Sequence, residues 1–77
     1  LPNYEVQVPK NSPLIGKSIG SLKFWQSTGG TIIAIRRGQT VILSPGPYAE
    51  LYDGDVIILV GSPAVAEAAH HLVTAKE

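Results

Sequence analysis

Thr31-Ile32-Ile33-Ala34-Ile35-Arg36-Arg37-Gly38-Gln39-Thr40-Val41-Ile42-Leu43 sets the architecture of this chain. Thr31 to Ile35 is a β-branched run broken only by Ala34, and its composition suits a strand covered on both faces. Arg36-Arg37-Gly38-Gln39 interrupts it with turn chemistry, and Thr40-Val41-Ile42-Leu43 resumes as a strand, so the segment predicts a β-hairpin. Towards the C-terminus, Ser44-Pro45-Gly46-Pro47 cannot continue the second strand, and Asp53-Gly54 is another turn signal. Asp55-Val56-Ile57-Ile58-Leu59-Val60 follows and is the predicted central strand. Gly61 closes it, Ser62 suits an N-cap, and Pro63 suits the first position of a helix. On that helix Val65, Ala68, Ala69 and Leu72 form an apolar stripe, with Glu67, His71 and Thr74 on the other side. Towards the N-terminus, Ser18 can cap a helix through Ile19, Leu22 and Trp25, whose spacing places them on one side, and Gly29-Gly30 ends it. Gly20 weakens that helix. Tyr4-Glu5-Val6-Gln7-Val8 alternates as a half-buried strand stopped by Pro9. Lys10-Asn11-Ser12-Pro13 is turn chemistry, and Leu14 and Ile15 dock this loop on the core. The order β-α-β-β-β-α predicts a small single α+β domain over residues 1–77, with a mixed sheet and helices packed on it.

Composition narrows the function. Six basic and six acidic residues cancel, so the domain has no net pull towards a nucleic-acid backbone or an anionic membrane. The absence of cysteine excludes disulfides, thiolate metal sites and a cysteine nucleophile, and it is compatible with the cytoplasm. No apolar run approaches the ~18 residues of a membrane span, and Leu1-Pro2-Asn3 lacks the features of a signal peptide. A domain of 77 residues buries a modest share of its unfolded surface and often needs a staple. With disulfides unavailable, oligomerisation or attachment to a larger parent is the expected substitute. The start at Leu1 suggests a fragment of a longer protein.

Few motifs carry chemistry. Gly16-Lys17-Ser18-Ile19-Gly20 fits the spacing of a hydrolase nucleophile elbow, but loop residues precede it where that motif needs a strand, so Ser18 reads as a helix cap. The phosphate-loop pattern would need glycine where Asn11 stands. Asp53-Gly54-Asp55 offers too few oxygens for a calcium loop and reads as a turn. His70 and His71 are adjacent on a helix, where their side chains diverge by about 100° and cannot chelate one metal. Two features stay open between packing and binding. Arg36-Arg37 could form bidentate bonds to phosphate oxygens or lie in a solvated turn. Trp25 could anchor the core or stack at an interface. No acid–base pair or activated nucleophile is visible, so the chain reads as a binding module rather than an enzyme, with no metal or resident cofactor.

Val8-Pro9-Lys10-Asn11-Ser12-Pro13-Leu14-Ile15-Gly16-Lys17-Ser18, Thr28-Gly29-Gly30-Thr31-Ile32-Ile33-Ala34-Ile35-Arg36-Arg37-Gly38, Ser44-Pro45-Gly46-Pro47 and Gly54-Asp55-Val56-Ile57-Ile58-Leu59-Val60-Gly61 together resemble the RCK_C domain, also called the TrkA C-terminal domain. The resemblance covers nearly the whole chain. It implies a dimerising α+β unit, placed C-terminal to other domains in prokaryotic potassium channels and transporters, cation/proton antiporters, chloride channels and some GntR-type transcription regulators of osmolyte uptake. It therefore implies cytoplasmic regulation of ion or osmolyte transport, with a membrane transporter or a DNA-binding domain in the parent protein and no direct nucleic-acid or membrane contact by this domain. Several members bind cyclic di-AMP between two subunits, which makes that nucleotide the candidate ligand. In potassium-uptake members an arginine six residues before an asparagine contacts the ligand. Here Trp25 and Thr31 stand at those positions, followed by the apolar run Ile32, Ile33, Ala34 and Ile35. The resemblance thus assigns Trp25, Thr31, Ile32, Ile33, Ala34 and Ile35 to the site. Arg36 or Arg37 is expected to replace the missing charge, and Trp25 to stack on adenine. The competing reading is a purely structural dimerisation domain without a nucleotide ligand.

Overall fold

A computed structural model describes residues 3–74 of the chain. Its strands are β1 (Asn3–Gln7), β2 (Thr31–Arg37), β3 (Thr40–Leu43) and β4 (Val56–Val60), assembled into one sheet in the order β1-β4-β2-β3. Every neighbouring pair is antiparallel. The parallel component expected of a mixed sheet is confined to an isolated bridge between Ile15 and Leu51. The reason is topological: β1 and β2 run the same way, as a helical crossover makes them, but β4 lies between them and opposes both. The central position expected for the 55–60 run holds, since β4 has a partner on each side and fully buries Ile57 and Leu59.

The hairpin closes more tightly than its sequence suggested. Arg37 pairs with Thr40, so only Gly38 and Gln39 form the turn, and Gly38 takes the positive φ (60°) that the first position of such a turn favours. Both arginines therefore belong to β2 and not to a solvated turn. Nor is β2 covered on both faces: Thr31 and Ile33 are exposed, because helices pack on one side of the sheet only. Between Ile32, which faces Leu59, and Ala34, which faces Ile58, the register skips Ile33. This bulge lets Ile32 and Ile35 point to the same inner face although three positions apart.

The helix expected from Ser18 to Gly30 is broken into α1 (Ile19–Leu22) and α2 (Phe24–Thr28), with Lys23 between them in the left-handed conformation (φ 49°). Ser18 caps α1, its Oγ accepting from the Ser21 amide at 3.3 Å, and Gly29 ends α2 with its N–H donating to the Trp25 carbonyl at 2.7 Å. The break has a packing result. Ile19 and Leu22 contact the core as expected, but Phe24, and not Trp25, takes the next inward place, leaving Trp25 65% exposed.

The last helix, α3 (Pro63–Thr74), buries Val65, Ala69 and Val73, one residue every four, with Ala68 and Leu72 half-buried at the edge and Glu67, His71 and Thr74 exposed. Val65 fits into a slot with no room for another carbon: a Cβ on Gly61 would lie 2.7 Å from its Cγ2. Together with Val6, Val8, Leu14, Phe24, Ile35, Leu51, Ile57 and Leu59 these residues form one core between the helices and the inner face of the sheet. Ser12, buried beneath the 10–13 turn, ties that loop to α3 by donating from Oγ to the Val73 carbonyl at 2.6 Å.

Candidate functional site

The helix break at Lys23 and the start of β2 enclose an open groove of about 330 Å³. Ile19, Phe24 and Ile32 give it apolar walls, Trp25, Gln26, Lys23 and Thr31 supply an aromatic face and polar groups, and Gly20, Gly30 and Pro45 complete the lining. The rim is fixed by backbone bonds: the Gly20 N–H donates to the Pro47 carbonyl at 2.8 Å and the Ile19 N–H to the Ala49 carbonyl at 2.9 Å. Gly20, which weakens the helix, is what permits this approach, because a Cβ there would sit 2.9 Å from the Pro47 oxygen. A groove that is apolar at its base and carries an exposed indole, a hydroxyl, an amide and an ammonium suits a planar heterocycle bearing hydrogen-bonding and anionic groups.

Of the residues assigned to a site from sequence, Trp25, Thr31 and Ile32 line this groove. Ile33, Ala34 and Ile35 do not: Ile33 bulges outward, Ala34 lies buried on the helix-free face, and Ile35 is fully buried in the core.

The arginine pair does not line the groove, and both guanidinium groups are paired with carboxylates. Arg37 makes a bidentate contact with Asp55, Nε to Oδ1 at 2.9 Å and Nη2 to Oδ2 at 2.8 Å. Its Nη2 also donates to the Glu50 carbonyl at 3.0 Å, and its guanidinium carbon lies 4.1 Å from the centre of the Tyr52 ring. Asp55 is wholly buried and accepts a further bond from the Tyr52 amide at 2.9 Å. Burial works to raise the Asp55 carboxyl, but the Arg37 hydrogen bonds, the Tyr52 amide and the arginine's charge outweigh it and hold its pKa below the ordinary 3.8. The Asp55 hydrogen bonds likewise raise Arg37 above its ordinary value, against the opposing effect of burial. Arg36 points to the opposite face, where Nη2 pairs with Glu5 Oε1 at 3.0 Å in the open. The charges expected to meet a phosphate are thus engaged within the domain.

The remaining motifs resolve simply. Ser18 is a cap, Gly54 (φ 82°) forms the turn before β4, and His70 and His71 are both exposed on α3. Sequence reasoning missed Lys23, Gln26 and Pro45 in the groove and Asp55 as the partner of Arg37.

An antiparallel four-stranded sheet carrying its helices on one face, with a groove at the helix break, defines the class as a two-layer α+β domain. The chain belongs to the TrkA-C domain family, whose model matches residues 3–74. The RCK_C domain dimer of Streptococcus agalactiae (S. agalactiae) BusR in complex with c-di-AMP is 40% identical, superposes with a TM-score of 0.88, and is matched over 95% of this chain and 90% of that one. The RCK C domain of the potassium transport protein KtrA in complex with c-di-AMP is 31% identical with a TM-score of 0.75, over 88% of this chain and 80% of that one. The Ktr system potassium uptake protein C of Bacillus subtilis is 35% identical over 57 residues, 74% of this chain and 26% of its own length. The chain spans less than half the length of the curated relatives it matches, from 9% to 43%.

Proposed function

We propose that the chain is a homodimeric ligand-sensing domain that controls potassium, cation or osmolyte transport from the cytoplasm by binding cyclic di-AMP. In this reading it is the C-terminal regulatory part of a longer protein, attached to a transporter subunit or to a DNA-binding domain, and its role is regulatory and not catalytic. The observation that carries it is the convergence of Trp25, Thr31 and Ile32 on one groove, in a domain 40% identical to one solved with this nucleotide. Each groove is a half-site. Trp25 stacks on one adenine, Ile19 and Ile32 pack against the purine, and the Thr31 hydroxyl bonds a polar atom of the nucleotide. A second copy supplies the other half, so the two-fold ligand matches the two-fold dimer and its binding is linked to the relative arrangement of the subunits.

Titration calorimetry of the 77-residue chain with cyclic di-AMP tests this reading. Heat saturating at one nucleotide per two chains, with a thermal midpoint that rises with ligand concentration, is the expected result. No heat at high micromolar ligand, and a dimer whose midpoint no nucleotide moves, would overturn it in favour of a structural dimerisation domain.

A further inference from the structure

We infer that Lys23, at the break between α1 and α2, is the residue that meets the phosphate of the ligand. The inference rests on the cyclic di-AMP reading and adds to it the source of positive charge. A phosphodiester that leaves water for a groove must meet a donor there, and a cationic donor gives the stronger bond. Arg37 is held by the buried Asp55, and Arg36 lies on the other face of the sheet, outside the groove. Lys23 is the one ionisable side chain lining the groove, so the groove carries a single positive charge and no carboxylate to oppose it. Among the described residues no ion pair engages it.

The backbone places that charge. Lys23 stands at φ 49° and ψ 52°, a conformation with an energetic penalty for a lysine, and its N–H closes α1 by donating to the Gly20 carbonyl at 3.4 Å. This turn lets Phe24 enter the core and leaves Lys23 and Trp25 exposed along the same groove. Lys23, with its ammonium on a flexible stem, and the aromatic Trp25 line the same groove, which matches the connection of base to phosphate in a nucleotide. In a two-fold dimer the arrangement occurs twice, giving one lysine to each of the ligand's two phosphates.

The test compares the wild-type chain with Lys23→Asn, Lys23→Gly and Lys23→Arg by titration calorimetry with cyclic di-AMP at low and high salt, alongside the thermal midpoint without ligand. Asn and Gly both tolerate left-handed backbone, so they remove the charge and keep the break, and should the midpoint of one fall, the other carries the comparison. Loss of about tenfold or more in affinity in K23N and K23G, a flatter dependence on salt, and retention within about threefold in K23R are the expected results. Affinity in K23N and K23G within about twofold of wild type would overturn the assignment while leaving the nucleotide reading intact. Absence of binding by the wild-type chain would instead overturn the nucleotide reading, and the assignment with it.

Discussion

The two ends of β2 are built on opposite terms. At Arg37 the buried polar groups are satisfied: the Asp55 carboxylate accepts from Arg37 Nε and Nη2 and from the Tyr52 amide, and no buried side-chain nitrogen or oxygen among the described residues lacks a partner. At Thr31 the reverse holds, with Thr31, Lys23, Trp25 and Gln26 presented to solvent around the groove. A guanidinium that neutralises a wholly buried carboxylate cannot be lent to a ligand without leaving that carboxylate charged in the core. The difference teaches that donors available for binding are those whose removal leaves the fold standing. Charge next to an apolar strand is not sufficient grounds to assign a contact.

Arg37→Ala strikes the closed end and has the largest expected effect. It strands Asp55, and breaking such a pair costs about 3 kcal/mol, the low end of the usual range because Arg37 is one-third exposed. Urea denaturation should show that loss, while cyclic di-AMP affinity measured on the folded fraction stays within about twofold if the two ends are independent. The same pair sets the response to acid. Because the folded Asp55 pKa lies below 3.8, its contribution to stability is complete above the ordinary carboxylate range and is lost as pH falls through the folded value. Stability curves measured from pH 6 downwards should therefore fall more steeply for wild type than for Asp55→Asn.

Trp25→Ala strikes the open end. Stacking makes it cost about 1–3 kcal/mol in nucleotide binding, whereas an exposed side chain leaves denaturant stability within about 0.5 kcal/mol. A large stability loss with unchanged binding would place Trp25 in packing and reverse its reading. Gly20→Ala should move both readouts. The added carbon meets the Pro47 oxygen, and overpacking of about 1–3 kcal/mol is offset by up to about 1 kcal/mol of helix propensity, while the displaced rim weakens the ligand. Smallest of all is Glu5→Gln, which breaks the exposed pair with Arg36 on the other face. It should cost no more than about 1 kcal/mol, and less in high salt.

Much of the fold is legible in the residues. Gly38 at the hairpin, Pro63 at the start of α3, and the alternation of β1 report local backbone preferences, and the structure follows them. The split at Lys23 is not legible, because a lysine in left-handed backbone carries no local signal; it is forced by Phe24 turning inward. The sheet order is not legible either, since it depends on β4 inserting between β1 and β2. The clamp follows from that order. Once β4 runs antiparallel beside β2, the acid before Val56 lies across from the residue after Arg36, and Asp55 finds Arg37. In the groove, Thr31 and Ile32 are legible only through the family resemblance, Trp25 also through its own amphipathic chemistry, and Lys23 only through geometry.

The bulge at Ile33 bears on how such a domain can diversify. Ile32 already faces Leu59 and Ala34 already faces Ile58, so Ile33 is a spare residue in the ladder with β4, while its carbonyl accepts from the Ser44 amide at 2.9 Å. Deleting it would leave each remaining partner in β4 unchanged and Arg37 still opposite Asp55. The strand thus contains a length buffer between its two ends. A change of length at this one position therefore leaves the clamp in register and falls wholly on the recognition end.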